Sequence, residues 1–124
     1  VAGREAFVPV EREGVIFTLQ PAEARVRAGR TVDLTFALRR PDGASVPLQP
    51  VMGAFAHLVA FDRERSGFAH LHPTEIDLSR PPDAKRPELH FKVTIPRAGR
   101  YAIWAQVNLA GHEVFVPFWF EVGG

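Results

Sequence analysis

Large apolar residues alternate with polar ones along several short stretches of the chain. In 31–38 they occupy every even position, and in 89–95 they occupy every odd position. Successive side chains of a strand point to opposite faces, so a period of two indicates a strand with one buried face. The two stretches therefore predict two strands that contribute to a hydrophobic core.

Further strands follow from shorter apolar runs bounded by turn residues. We predict strands at 14–19, 24–27, 54–61, 68–72, 101–109 and 113–122, with an irregular edge segment at 46–50. Turns are predicted at Pro41-Asp42-Gly43, at 96–99 and at Ala110-Gly111, and 79–87 is a charged, proline-rich loop. No substantial helix is predicted: 21–25 could form one helical turn, but Gly29 and the β-branched residues after it stop any extension.

About eight or nine short strands with frequent turn signals are typical of an all-β fold. We predict a two-sheet antiparallel β-sandwich. The length of 124 residues suits one domain, so 1–124 is interpreted as a single domain with an irregular N-terminal segment at 1–13.

The amino-acid composition excludes several kinds of site and partner. The chain has no cysteine, so disulfides, thiolate nucleophiles and the thiolate of blue-copper sites are excluded. Its net charge is +1 without a block of like charges, so no nucleic-acid partner is expected. No run of about 18 apolar residues occurs, and no membrane span is predicted. Because the chain begins at Val1, we expect any signal peptide to lie upstream.

Three histidines fall on two neighbouring predicted strands. His70 and His72 are two residues apart, which places them on one face with Cα atoms about 7 Å apart. His57 lies on the preceding strand, opposite or diagonal to them if the two strands pair as a hairpin. Since neutral imidazole is a common metal ligand, the spacing predicts a metal site.

Met52 is the only methionine and precedes His57 by five residues. A loop at this position would fold the thioether over the imidazoles, and soft sulfur with imidazole nitrogen favours copper. We therefore predict a site for copper, as Cu(II) or Cu(I). Zinc is the alternative metal for a site made of three histidines. His112, at the tip of the last hairpin, is a weaker candidate ligand, and His90 is weaker still.

Each of these residues also has a structural interpretation. His57 lies in an apolar strand and suits a core residue bonded to a backbone carbonyl, while His70 and His72 suit a solvent-facing strand surface. Met52 suits a gap-filler. Gln106 and Asn108 share a predicted strand face with Trp104. They could be polar groups of the core or partners that orient an imidazole, and both interpretations stay open.

Catalytic motifs are absent from the sequence. Ser66 lies near the histidines but outside any nucleophile-elbow pattern, and no zinc-protease, P-loop or dinucleotide-binding motif occurs. We therefore expect a protein that is not an enzyme.

The same segments resemble a known group of proteins. Residues 52–59 read Met-Gly-x-x-x-His-Leu-Val, 68–73 read Phe-x-His-x-His-Pro, 99–106 read Gly-x-Tyr-x-x-Trp-x-Gln, and 116–118 read Val-Pro-Phe. Over roughly 14–122 the chain is similar to exported bacterial sandwich domains of the YtkA-like and copper-resistance type. The resemblance implies an immunoglobulin-like or cupredoxin-like Greek key, a periplasmic or extracellular location, and copper handling.

Two functions are consistent with these observations. The first is a non-enzymatic metal-binding module that chelates copper outside the cytoplasm through the histidines. The alternative is a metal-free interaction domain of a larger exported assembly. Its support comes from 113–122, where Phe118 and Phe120 fall on one face while Phe115 and Trp119 fall on the other. A third interpretation, carbohydrate binding, requires Trp104 and Trp119 both to be exposed.

Overall fold

A computed structural model describes residues 6–62, 64, 67–71, 73–75 and 77–124; at 67–70 the description covers the backbone. These residues form ten strands, in chain order β1 (Val10–Arg12), β2 (Val15–Pro21), β3 (Val26–Arg27), β4 (Thr31–Arg39), β5 (Leu48–Gln49), β6 (His57–Phe61), β7 (Gly67–Leu71), β8 (Glu88–Thr94), β9 (Gly99–Leu109) and β10 (His112–Gly123). Within the described ranges there is no helix, and hence none that would cross a membrane.

The strands form two sheets. One has four strands in the order β1-β2-β4-β8, and the other has six, in the order β3-β10-β9-β6-β7 with β5 beside β9. The predicted β-sandwich is thus confirmed. One pairing departs from the antiparallel prediction: β3 runs parallel to β10, because the chain crosses to the second sheet after β2 and enters it beside the final strand.

The core lies between the two sheets and is rich in phenylalanine. Phe36 of β4 is fully buried, and its ring centroid lies 6.2 Å from Phe17, 6.5 Å from Phe91 and 6.3 Å from Phe118. Phe17 and Phe91 belong to neighbouring strands of the same sheet, whereas Phe118 belongs to the opposite sheet. These contacts join the two layers, with offset and edge-to-face geometries that aromatic pairs prefer.

A tyrosine secures the corner where the chain passes from β8 to β9. The Tyr101 hydroxyl donates a hydrogen bond to the Arg97 carbonyl four residues upstream, at 2.7 Å. A corner of this kind recurs in Greek-key sandwiches. Before β1, Phe7 stacks on Phe120 at 4.8 Å and donates its N–H to the Trp119 carbonyl, so the segment ahead of the first strand is also tied to the core.

The region before β6 differs from the prediction of one strand over 54–61. Met52 and Gly53 have positive φ angles of 48° and 82°, and Val51 and Ala54 close the turn around them. Positive φ at both central positions defines the tight turn of two-residue hairpins. The strand therefore begins at His57 and not at Ala54. Residues 10–12, within the segment predicted to be irregular, form β1.

Candidate functional site

His57 is the first residue of β6 and is almost completely buried, with 2% of its surface exposed. In the backbone register it pairs with Gln106 of β9. Its Nε2 lies 2.6 Å from the carbonyl oxygen of Val51, in the turn that precedes the strand. A carbonyl oxygen only accepts, so Nε2 carries the proton and donates it.

This hydrogen bond has two chemical meanings. It satisfies a buried imidazole, as expected for a core histidine. It is also the bond that metal-ligating histidines make, since they donate one ring N–H to a backbone carbonyl and turn the other nitrogen toward the metal. His57 is thus oriented by the chain itself, in a way that suits both predicted roles.

Met52 occupies the tip of the Val51–Ala54 turn. Its side chain is 70% exposed and its backbone is left-handed. It follows directly on Val51, the residue that holds the His57 ring. The turn therefore places the thioether at the surface beside the start of β6.

The predicted hairpin after His57 is present. β6 pairs antiparallel with β7, with Leu58 opposite Leu71 and Val59 opposite His70. Since His57 is two residues before Val59, His57 and His70 occupy diagonal positions in the backbone register. The side chain of His70 and the whole of His72 lie outside the described part of the chain. Among the residues that are described, no group of three or more His, Cys, Asp or Glu side chains is placed to hold a metal.

The two remaining histidines each contact a carboxylate elsewhere on the surface. His112 begins β10, and its Nε2 lies within hydrogen-bond distance of Oε1 of Glu13, in the β1–β2 turn. His90 of β8 places Nδ1 2.6 Å from Oε2 of Glu75 and donates its backbone N–H to the other oxygen at 2.9 Å. Partial burial raises the pKa of Glu75, but the hydrogen bonds from His90 outweigh it and hold that pKa below its usual 4.5.

Gln106 and Asn108 use their side chains locally. Gln106 Nε2 donates to the Glu113 carboxylate across the β9–β10 pair. Asn108 Oδ1 accepts the backbone N–H of Gly111 at 2.9 Å, which supports the hairpin turn.

The outward face of the six-stranded sheet carries a cluster of apolar side chains from three adjacent strands. We call it the outer aromatic face. It comprises Val59 and Phe61 of β6, Trp104 of β9, and Phe115, Pro117 and Trp119 of β10. Trp104 is central, because the register places Val59 on one side of it and Pro117 on the other. Trp104, Phe115 and Trp119 are 38%, 51% and 47% exposed.

The outward face of the four-stranded sheet is different. There the Lys92 ammonium lies 2.7 Å from Asp33, and the Thr31 and Thr94 hydroxyls are 2.6 Å apart. That face follows the usual pattern of a solvated antiparallel sheet. Of the two outward sheet faces, that of the six-stranded sheet is the one that carries apolar side chains where polar ones are usual.

Polar groups border the outer aromatic face at both ends. The Gln106–Glu113 pair lies at one end, and at the other Arg100 lies 5.3 Å from the ring of Trp119 and 3.4 Å from Glu121. Between the ends is an open groove of about 390 Å³ lined by Val59, Phe61, Trp104, Gln106 and Phe115. An apolar centre with a polar rim is the anatomy of a protein–protein interface.

Part of this surface was predictable. The alternation of β10 places Phe115 and Trp119 together on one face. The contribution of Val59 and Phe61 depends on the position of β6 beside β9, a long-range pairing that local sequence does not specify.

The fold and its surfaces define an all-β sandwich domain with one apolar outward face. The chain belongs to the family described as a domain of unknown function, DUF8832, whose model matches residues 10–124. No curated protein matches the sequence. The comparisons do not confirm the resemblance to YtkA-like and copper-resistance proteins.

Two solved structures share the fold. One is a protein of Bacillus anthracis assigned as a lipoprotein, with 12% identity and a TM-score of 0.54 over 95% of this chain and 85% of that one. The other is FetP of uropathogenic Escherichia coli strain F11, produced in the periplasm, with 12% identity and a TM-score of 0.51 over 96% and 95%. At this identity the likeness concerns the fold.

Proposed function

We propose that this domain is a non-enzymatic interaction module of an exported assembly, and that its outer aromatic face binds a partner protein. The observation that carries the proposal is the exposure of Trp104, Phe115 and Trp119 together on one sheet face. Tryptophan and other aromatic residues are enriched at interfaces and dominate their binding energy. The names of the two structural relatives, a lipoprotein and a periplasmically produced protein, support export.

The shape of the face favours a folded partner with a flat apolar surface. The face spans three strands, and its groove is open. Small-molecule sites are concave and enclose most of their ligand, which this surface does not do. The Arg100–Glu121 and Gln106–Glu113 pairs would meet the polar rim of such a partner.

Site-specific photo-crosslinking in the producing cell tests the proposal. A benzoylphenylalanine introduced at Phe115 should form one defined adduct with another protein, identifiable by mass spectrometry. The same probe at Gln20, exposed on the outward face of the four-stranded sheet, serves as the matched control. The adduct at Phe115 should disappear when Trp104 is changed to Gln.

Two outcomes would overturn the proposal. One is equal crosslinking from Phe115 and Gln20, which would mean random contact. The other is an adduct made only of two copies of this chain, which would make the face a dimer surface and not a site for a different protein.

Copper chelation, with zinc as the alternative, is a second candidate function. The observation that favours it is the diagonal register of His57 and His70 on paired strands, with the His57 ring held by the Val51 carbonyl. Binding should weaken as the pH falls through the range in which imidazole protonates, because a protonated imidazole cannot coordinate.

A titration of the metal-free protein with Cu(II) and Zn(II) at pH 7 tests this candidate. We expect near-stoichiometric binding that a His70→Ala/His72→Ala variant loses and a His90→Ala/His112→Ala variant retains. Equal loss in both variants would indicate generic surface histidines and would rule the site out.

A further inference from the structure

Two basic dipeptides that are distant in sequence meet at one end of the four-stranded sheet. Arg39-Arg40 closes β4, and Lys85-Arg86 precedes β8. The segment before β8 is fixed to β4 by a backbone hydrogen bond from Leu38 N–H to the Pro87 carbonyl, at 3.1 Å. A second bond, from Val46 N–H to the Ala84 carbonyl at 2.6 Å, ties it to the segment before β5. The fold thereby creates a basic cluster that the sequence does not display as one block.

These four basic residues contribute to the lining of a cavity of about 390 Å³. Its remaining lining includes Thr18 and one acidic residue, Glu88. Four positive charges against one negative charge leave a local charge of +3, whereas the whole chain carries only +1. The cavity is therefore the site of a positive field that the rest of the molecule balances.

The cations of the cavity have no counter-charge among the described residues, and what distinguishes them from other unpaired surface cations is that four of them line one cavity. Lys92 pairs with Asp33, Arg100 with Glu121, and Arg80 with Asp77. In the described ranges, Arg39, Arg40, Lys85 and Arg86 have no carboxylate within 4.0 Å. Arg40 is half-buried, and its Nε donates to the Ser45 carbonyl at 3.3 Å, which orients the guanidinium without neutralising it.

We propose that this cavity binds a phosphate group. Like charges gathered without a partner repel one another, and a bound oxyanion relieves the repulsion. Guanidinium groups match phosphate geometry with paired hydrogen bonds, and lysine adds a point charge. The volume lies within the range of small-molecule sites, so the group is carried on an organic phosphate ester, either soluble or in a phospholipid head group.

Calorimetric titration with pyrophosphate tests the site itself. Wild-type protein should bind one equivalent, and Arg39→Gln/Lys85→Gln should bind roughly tenfold or more weakly, since each charge-assisted contact removed is significant. Arg30→Gln/Arg97→Gln is the matched control: it removes the same charge at the opposite end of β4, and both side chains are exposed. Circular dichroism of both variants checks that they fold.

The control separates a built site from general electrostatics. Equal weakening in the two variants, or no saturable binding by the wild type, would overturn the proposal. Retention of binding in the control with loss in the cavity variant would support it.

Vesicle sedimentation then distinguishes the source of the phosphate. Vesicles of phosphatidylglycerol that retain wild-type and control protein but release the cavity variant indicate a lipid head group. Pyrophosphate binding without retention on these vesicles indicates a soluble phosphate ester. Vesicles of phosphatidylcholine provide the neutral reference.

Discussion

At the scale of single residues, Met52 carries a backbone conformation that its side chain disfavours. Its φ of 48° precedes Gly53 with a φ of 82°, and its side chain is 70% exposed. Asn-Gly is the preferred pair for such a turn, and a left-handed non-glycine residue costs about 1–2 kcal/mol. We expect Met52→Asn to raise the free energy of unfolding by about 0.5–1 kcal/mol, measured by urea denaturation.

The same variant also tests the thioether as a ligand. If Met52 binds copper, Met52→Asn should weaken Cu(I) binding while it stabilises the fold. A lower free energy of unfolding would show that the exposed side chain stabilises the turn in some other way.

Glu75 is expected to make stability depend on acidic pH. Its pKa in the folded protein lies below the usual 4.5: burial raises it, and the His90 hydrogen bonds lower it by more. Its stabilising contribution is therefore present above pH 4.5 and is lost as the pH falls through the lower folded value. In Glu75→Gln, the fall of the urea midpoint between pH 5 and pH 3 should be smaller than in the wild type.

The size of this effect is limited by solvent. Glu75 and His90 are 38% and 49% exposed, and exposed ion pairs contribute about 0.2–1 kcal/mol. Glu23→Gln, at an exposed carboxylate without a structural partner in the described ranges, should leave the wild-type pH profile unchanged. Identical profiles for Glu75→Gln and the wild type would contradict the prediction.

At the scale of the elements, the β8–β9 corner depends on one hydroxyl. Tyr101→Phe removes the bond to the Arg97 carbonyl and leaves that acceptor without its partner. We expect a loss of about 1 kcal/mol in unfolding free energy. Urea denaturation measures it, and an unchanged midpoint would show that solvent replaces the hydroxyl at no cost.

Strands were predictable where burial alternates. The strand expected at 31–38 is found at Thr31–Arg39, and that expected at 89–95 is found at Glu88–Thr94. The strand predicted at 54–61 begins too early because Ala54, Phe55 and Ala56 are buried without belonging to a strand. These residues are apolar because they pack in the core, and an apolar run does not by itself show an extended backbone. β3 has two residues and a partner nearly a hundred positions away, so local pattern could not reveal its pairing.

At the scale of the whole molecule, neighbouring residues of β10 should differ in what they contribute. Phe120 is buried in the core, whereas Trp119 is 47% exposed on the outer aromatic face. We expect Phe120→Ala to cost about 3–5 kcal/mol and Trp119→Ala about 1 kcal/mol of unfolding free energy. Equal losses in urea denaturation would mean that the outer aromatic face stabilises the fold and is not kept for binding.

The candidate sites were predictable only in part for the same reason. His57 and His70 could be placed on paired strands because only a short segment of chain separates those strands. The outer aromatic face needs β6, β9 and β10 together, and the basic cavity needs two segments more than forty residues apart in the chain. The spacing of residues in the sequence predicts which ones are neighbours within one hairpin. These surfaces depend instead on the order of strands in the sheets, which the spacing does not predict.

The position of β10 has a consequence for the order in which the protein can form. β10 lies between β3 and β9 in the six-stranded sheet, pairs its last residues with Val26 and Arg27, and supplies the ring on which Phe7 stacks. During synthesis the chain therefore lacks the strand that joins β3 to β9 until residues near 120 have been added. The six-stranded sheet cannot close before β10 has been made, and the dominance of such distant contacts makes its folding slow.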